Sequence, residues 1–426
     1  MFPYVAWDPS KSEPEEPSEG LPAIRYLRPD ALLLDPHTLL KAPVLVVRGS
    51  YILEVHRDFP GRWVTPEAFP GELWVAAPLL LHAHLESYDA PSSLWRRESF
   101  AQWVSHLLAW REEERLPAPE SAWHSLEELR IRGCGLVFTH AGEPQSNGRH
   151  FPSWLEAPQF PEVLAAPELF EPDPEQVHEP LKILDQRPPR PGTGLALHAP
   201  YSVSETLAKA VFARGRGWAV PVSIHLGEHP EERQFLASGQ GPLADCFRDR
   251  GRPLKKQRWD SPVAWLQDVG GLHPGTLAVH CGDLDLNELE SLAAAGVRMV
   301  WCPGTHLYFD RPPVLFGRSD IPLPALGCDS RASNASLDPL REYRLANALA
   351  PEAGPVAWWQ ALTEGGAAAL GRGDLGSLGP GKRARFLRLA HEPAKTAEEV
   401  CQRLAREADL RPLAPVCEPG HGLGPL

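Results

Sequence analysis

Two histidines stand one residue apart at the end of an apolar run, in Leu79-Leu80-Leu81-His82-Ala83-His84-Leu85-Glu86. If the run is a β-strand, positions 82 and 84 send both imidazoles to one face while Ala83 points to the other. Two converging imidazoles can supply two ligands of a zinc site at about 2.0–2.1 Å, provided other strands bring the rest. An isolated pair of this kind more often holds one hydrogen-bonded core histidine and one exposed one, so the reading depends on what the other strand ends carry. They carry the same chemistry. His198 closes "GLALHAP", His225 closes the apolar part of "VPVSIHLGE", His280 closes "TLAVHC", and Asp329 lies in "LPALGCDS". Glu228 follows His225 on the adjoining turn, where a carboxylate near a metal but not bound to it suits a general acid or base. One strand-end histidine is more often structural than not; four at equivalent ends, with Asp329 and Glu228, point to a metal site.

The elements that must position these residues can be read from the same runs. Eight short apolar segments bounded by turn residues lie between positions 73 and 330: "LWVAAPLLLHAH", "GLVFTHA", "VLAAPELF", "GLALHAP", "VPVSIHLGE", "TLAVHC", "RMVWCP" and "LPALGCDS". Helical patterns separate several of them. "DLNELESLAAAGV" begins on Asp285 with Glu288 three residues on, a capping-box pattern, and "SETLAKAVFARGRG" begins similarly at Ser204 and is expected to end in its glycines. Strands buried on both faces and alternating with helices make a parallel sheet. Eight such units predict an α/β fold, a closed (β/α)8 TIM barrel, whose C-terminal strand edge is where active sites are assembled.

Short β-like segments flank the barrel, such as "APVLVVRGSYILEV" before it and "LGSLGPGKRARFLRLA" after it. The expected organisation is a flexible N-terminus (1–20), a small β-sandwich from both chain ends (21–72 with 370–395), the barrel (73–369), and a C-terminal helix and tail (396–426) whose last stretch, "EPGHGLGPL", is loose.

The chain of 426 residues has 23% charged and 43% hydrophobic residues, a globular balance. Its formal charge of −13, with no basic cluster larger than "PLKKQR", argues against a nucleic-acid partner and for a small-molecule substrate. No apolar run reaches membrane-spanning length, so no membrane partner is expected. Seven scattered cysteines without a CxxC pair suit a reducing cytoplasm, and the acidic, proline-rich start is not a secretion signal.

The ordered set HxH, HAPYS, HxxE, H and D resembles the amidohydrolase superfamily, in its cytosine-deaminase-like and chlorohydrolase-like branch, over nearly the whole chain. "TEGGAAALGRGDLGSLGPGKRARFL" is similar to that family's C-terminal return segment. The resemblance implies that His82, His84, His225 and Asp329 hold one divalent metal, zinc first, with iron or manganese as alternatives. It further implies Glu228 as proton shuttle, His280 as the residue that orients and polarises the hydrolytic water, Asp329 as first proton acceptor, and His198 as a substrate contact. No lysine stands where binuclear members carry a carbamylated bridge. The implied reaction is hydrolytic loss of ammonia from a cyclic amidine.

"WCPGTHLYF" and "GCDSRASNASLD", with "HLGEHPEERQFL" and "SPVAWL", resemble the aminodeoxyfutalosine deaminase-like subgroup, which implies 6-amino-6-deoxyfutalosine as substrate and a place in menaquinone biosynthesis. Two positions depart from it: Gly304 stands where the subgroup more often has arginine, and Cys328 where it has threonine. Deaminases of adenosine, S-adenosylhomocysteine, methylthioadenosine or guanine share most of the pattern, as do heteroaromatic chlorohydrolases; a catalytically silent barrel scaffold is the non-enzymatic alternative. His306 and Ser333 are expected at the barrel mouth as substrate contacts, a loop-stabilising hydrogen bond being the equal alternative for each. Trp103 is expected in core packing, and His106, His124, His140, His229 and His273 in structural or surface roles. A homodimer is compatible with all of this.

Overall fold

A computed structural model describes residues 22–59, 61, 64–91, 94, 99–113, 119–141, 161–186, 193–251, 258–317, 321–407 and 412–417. The expectations for residues 1–20 and for "EPGHGLGPL" lie outside the described residues.

Eight parallel strands form one sheet in sequence order: β6 (Leu79–Leu80), β7 (Leu136–Ala141), β8 (Glu162–Leu169), β9 (Leu195–Leu197), β10 (Val222–Leu226), β11 (Thr276–His280), β12 (Arg298–Trp301) and β13 (Ala325–Leu326). Each expected run supplies one of them. Every residue of β10 and β11 is buried, as strands covered by helices outside and packed side chains inside must be. The ends of the sheet meet and close the barrel: Leu81 N donates to Leu326 O at 2.8 Å, Cys328 N to His82 O at 2.9 Å, and Ala83 pairs with Asp329 in parallel. The closing seam therefore runs through the His82–His84 segment and Asp329.

The remaining strands make a second, seven-stranded sheet from both ends of the chain: β1 (Ile24–Asp35), β2 (Thr38–Lys41), β3 (Val44–Arg48), β4 (Tyr51–His56), β5 (Glu67–Ala76), β14 (Phe386–Ala390) and β15 (Ala414–Cys417). β14 lies antiparallel to β5, joining the C-terminal return to the N-terminal strands, and β15 adds to β14. "LWVAAPLLLHAH" is divided between the two sheets. Leu73–Ala76 belong to β5, and after Pro78, which has no N–H to give a ladder, the chain enters the barrel as β6.

Local signals act as expected at the two helix starts named above. Asp285 and Glu288 form a reciprocal capping box on helix Leu286–Ala294, and the Ser204 side chain accepts from Leu207 N at the start of helix Glu205–Trp218. The latter helix does not stop at its glycines but runs through them to a left-handed Ala219. Gly215 is there for proximity: a Cβ would lie 2.3 Å from Val222 Cγ2 on β10. Among the described residues no helix is long and apolar enough to cross a membrane. Cys134, Cys246, Cys281, Cys302, Cys328 and Cys401 are buried and unpaired.

Candidate metal centre

Strand ends from opposite sides of the barrel bring four predicted residues to one point. His225 Nε2 lies 3.2 Å from His82 Nε2 and 3.3 Å from His84 Nε2. Asp329 Oδ1 lies 3.5 Å from His82 Nε2 and 3.8 Å from His84 Nε2. All four residues are buried.

The protons on these rings decide what the contacts are. His225 Nδ1–H donates to His198 O at 2.6 Å, which leaves Nε2 as a bare lone pair. Burial lowers His84 and His225 well below the usual histidine value, so both are neutral. Burial also favours a neutral Asp329, but the His82 ring beside it, with His280 and His84, outweighs this and keeps the carboxylate ionised. Neutral imidazole lone pairs and a carboxylate oxygen are the donor set a divalent metal requires. For bonds of about 2.0–2.1 Å, a tetrahedral site has ligand–ligand edges of about 3.3–3.4 Å. The observed spacings of 3.2, 3.3, 3.5 and 3.8 Å bracket that value. The residues fit the group.

His280 and Glu228 stand at the edge of this cluster. His280 Nε2 is buried with no hydrogen-bond partner among the described residues, and lies 3.7 Å from Glu228 Oε1. His280, His82 and Asp329 bring their donor atoms within 4.8 Å of one another. Burial drives His280 down to about 3, so it is neutral, and pushes Glu228 well above the carboxylate range, aided by Asp329 and Glu232. Burial thus favours the protonated form of Glu228 beside an unprotonated imidazole. Its turn is held by Glu232, which accepts from Gly227 N and Glu228 N, both at 3.2 Å. His280 (φ 73°), Cys281 (φ 53°) and Asp329 (φ 56°) occupy left-handed backbone conformations that non-glycine residues seldom adopt. Such strain gathers where surrounding structure fixes a side chain for function.

The other predicted contacts are placed differently. His198 is half-buried, with Nδ1 2.6 Å from Ser202 Oγ. His306 Nε2–H donates to Pro312 O at 2.8 Å, which ties the ring to the segment that follows its own helix, Pro303–Tyr308. Ser333 Oγ donates to Asp329 Oδ2 at 2.8 Å. Trp103 is buried against Phe100 and Phe309 and donates its indole N–H to Ala332 O at 3.3 Å. Gly304 has no space for a side chain, since a Cβ would lie 2.4 Å from Asn334 Nδ2 and Oδ1. Asn334 is fixed in turn by Cys328 O at 2.7 Å and Glu342 Oε1 at 2.9 Å, so an arginine at 304 requires a rebuilt loop.

Sequence reasoning set His140 aside, and it left Glu168, Thr305 and Glu342 unremarked. The His140 ring packs edge-on against His82 with centroids 4.6 Å apart. Both its nitrogens are occupied, Nδ1 with Glu168 Oε1 at 3.0 Å and Nε2 with Ser223 Oγ at 2.7 Å, so it supports the ligands without joining them. Glu168, 4.0 Å from His225 Nδ1, places a buried carboxylate behind the histidines. The terminal histidine of "GLVFTHA" was the available signal; nothing in the sequence marks the other three.

These shifts predict the pH dependence of the metal-free protein. Buried histidines with depressed values, among them His140 at about 4 and His280 at about 3, contribute stability that is present above their unfolded value and lost as the pH falls. Burial raises Glu232 to about 8 and Glu342 to about 7; their contribution is full below the unfolded carboxylate value and is lost as the pH rises through those values. The thermal midpoint should therefore peak at about pH 6–7. Scanning calorimetry in chelator checks this, and Glu232→Gln should weaken the alkaline fall.

The sequence profile of the amidohydrolase family matches residues 167–406. The aminodeoxyfutalosine deaminase of Deinococcus radiodurans is 29% identical over 203 residues, covering 43% of this chain and 46% of that protein. The chain thus spans less than half the length of that relative. The 5-methylthioadenosine/S-adenosylhomocysteine deaminase of Teredinibacter turnerae is 27% identical over 344 residues, covering 74% of this chain and 71% of the relative. In fold, the crystal structure of Helicobacter pylori aminofutalosine deaminase in complex with methylthio-coformycin matches with a TM-score of 0.76 over 91% of this chain and 97% of that one, at 18% identity.

Proposed function

The chain belongs to the amidohydrolase family, and from that membership and its donor cluster we propose a metal-dependent hydrolytic deaminase of an aminopurine nucleoside. The observation that carries the reading is the convergence of three Nε2 atoms and Asp329 Oδ1 beside Glu228, whose protonated form burial favours. A cluster of neutral imidazoles and one carboxylate suits zinc, with iron or manganese as the alternatives. A divalent ion held there would lower the pKa of water towards neutrality and stabilise the negative charge that develops on attack.

The chain's own residues supply the proton chemistry. Glu228 donates to the ring nitrogen beside the attacked carbon, which makes the C=N bond electrophilic. His280, neutral and unpaired at Nε2, accepts a hydrogen bond from the incoming water and aims it. Asp329 Oδ1 takes the first proton from that water. The proton held by Asp329 passes to the exocyclic nitrogen, ammonia leaves as the carbonyl forms, and the hydroxyl proton released in that step restores Glu228 for the next cycle. His198 faces the substrate from the end of β9.

The proposed substrate is 6-amino-6-deoxyfutalosine, consumed in menaquinone biosynthesis in the cytoplasm. The Deinococcus relative supports this reading, as do six buried unpaired thiols for the compartment. Methylthioadenosine or S-adenosylhomocysteine is the second reading, favoured by the longer match to the Teredinibacter protein. Ammonia release by the metal-loaded protein, measured in parallel on these nucleosides, adenosine and guanine, separates them. The expected result is the largest kcat/KM for aminodeoxyfutalosine; a larger value for methylthioadenosine selects the second reading.

A further inference from the structure

Asp329 uses its two oxygens differently. Oδ1 lies within the histidine cluster, 3.5 Å from His82 Nε2. Oδ2 contacts Thr305 Oγ1 at 2.9 Å and Ser333 Oγ at 2.8 Å, and the two hydroxyl oxygens are 3.1 Å apart. Thr305 and Ser333 are buried, so neither hydroxyl has bulk water as an alternative partner. A carboxylate oxygen offers two lone-pair directions, and two hydroxyl donors fill them.

The two hydroxyls come from different segments, Thr305 from the short helix Pro303–Tyr308 after β12 and Ser333 from the loop after β13, yet a single group fixes their separation. Glu342, fully buried on helix Pro339–Leu349, accepts from Gly304 N at 2.8 Å and from Asn334 Nδ2 at 2.9 Å. Those are the residues next to Thr305 and Ser333. Asn334 Nδ2 also donates to Cys328 O, the residue before Asp329. One buried carboxylate therefore anchors the neighbour of each hydroxyl, and through Asn334 the segment that carries the aspartate.

We propose that Thr305 and Ser333 are positioning residues that clamp Asp329 Oδ2, so that Oδ1 alone ligates the divalent cation. Without the clamp the carboxylate is free to turn about its Cβ–Cγ bond and offer both oxygens, which changes the coordination number. Oδ2 would also be left buried without donors, a loss that destabilises the ligating geometry. Hydrogen bonds to a ligating carboxylate commonly govern metal affinity in this way. The assignment moves Ser333 from the substrate to the ligand, and gives Thr305 a role that its position in "WCPGTHLYF" does not announce. It rests on the metal reading of the site.

The test is metal binding itself. Metal-free protein is titrated with zinc against a chromophoric chelator, and with cobalt(II) while the visible spectrum is recorded. Wild type is expected to bind one equivalent. Thr305→Val combined with Ser333→Ala should weaken zinc affinity by about 10- to 100-fold and alter the cobalt spectrum. Thr305→Ser, which keeps the hydroxyl, should retain wild-type affinity and spectrum. If the double variant does not fold, Ser333→Ala alone, which removes one oxygen and adds no bulk, is read the same way. A folded hydroxyl-deficient variant with wild-type affinity and spectrum overturns the clamp, as does a Thr305→Ser variant no better than Thr305→Val. Wild type that binds neither ion overturns the metal reading and the clamp together.

Discussion

His82→Ala is expected to lose stoichiometric metal and, with it, at least about a thousandfold in kcat/KM, equivalent to about 4 kcal/mol of transition-state stabilisation. The size follows from the position of His82. It is fully buried, its Nε2 meets His225 at 3.2 Å and Asp329 at 3.5 Å, and its ring packs on His84 and His140. Neither His140, both of whose nitrogens are engaged, nor His225 Nδ1, committed to His198 O, is free to take its place. The backbone should survive. The barrel seam is closed by the carbonyl of residue 82, not by its side chain. Elemental analysis of the purified variant, with circular dichroism to confirm the fold, checks both halves. Full metal occupancy in a folded variant would remove His82 from the ligand set.

Glu228→Gln should separate metal binding from chemistry. Glu228 is not among the converging donors, and its Oε1 lies 3.7 Å from His280 Nε2. Metal content should be unchanged, while kcat falls by about 10²- to 10⁴-fold, the range for loss of a positioned proton donor. Glutamine preserves the shape and the buried neighbours but cannot deliver a proton. Because burial favours the protonated form of the wild-type group, the variant removes the proton donor without removing a charge, and KM should change less than kcat. Unchanged turnover with full metal would assign proton transfer to another group.

How much of this could be read from the sequence follows from what each feature depends on. The barrel was legible because strands buried on both faces must be continuous apolar runs, as β10 and β11 are. The ligands were legible because each ends such a run, and a parallel barrel brings those ends together. The division of "LWVAAPLLLHAH" between two sheets was not legible, since one apolar run serves either sheet equally well and only Pro78 marks the break. The glycines of "SETLAKAVFARGRG" misled for a related reason. Gly215 fits the close approach to Val222, a tertiary demand that local helix-ending signals cannot express. Thr305 and Glu342, on helices, and Glu168, on β8, were invisible because a single polar residue carries no period, and their partners are distant in sequence. Ser333 was placed near the right atoms, but its partner in the structure is Asp329 Oδ2.

The most direct test of the whole account is aminopurine nucleoside turnover in heavy-oxygen water. Metal-loaded protein should release one ammonia for each nucleoside consumed and place one heavy oxygen on the purine carbon that bore the amine, and the chelated protein should do neither. Nucleoside returned unchanged by fully metal-loaded protein across the panel, or ammonia released without heavy oxygen in the product, would contradict a hydrolytic deaminase.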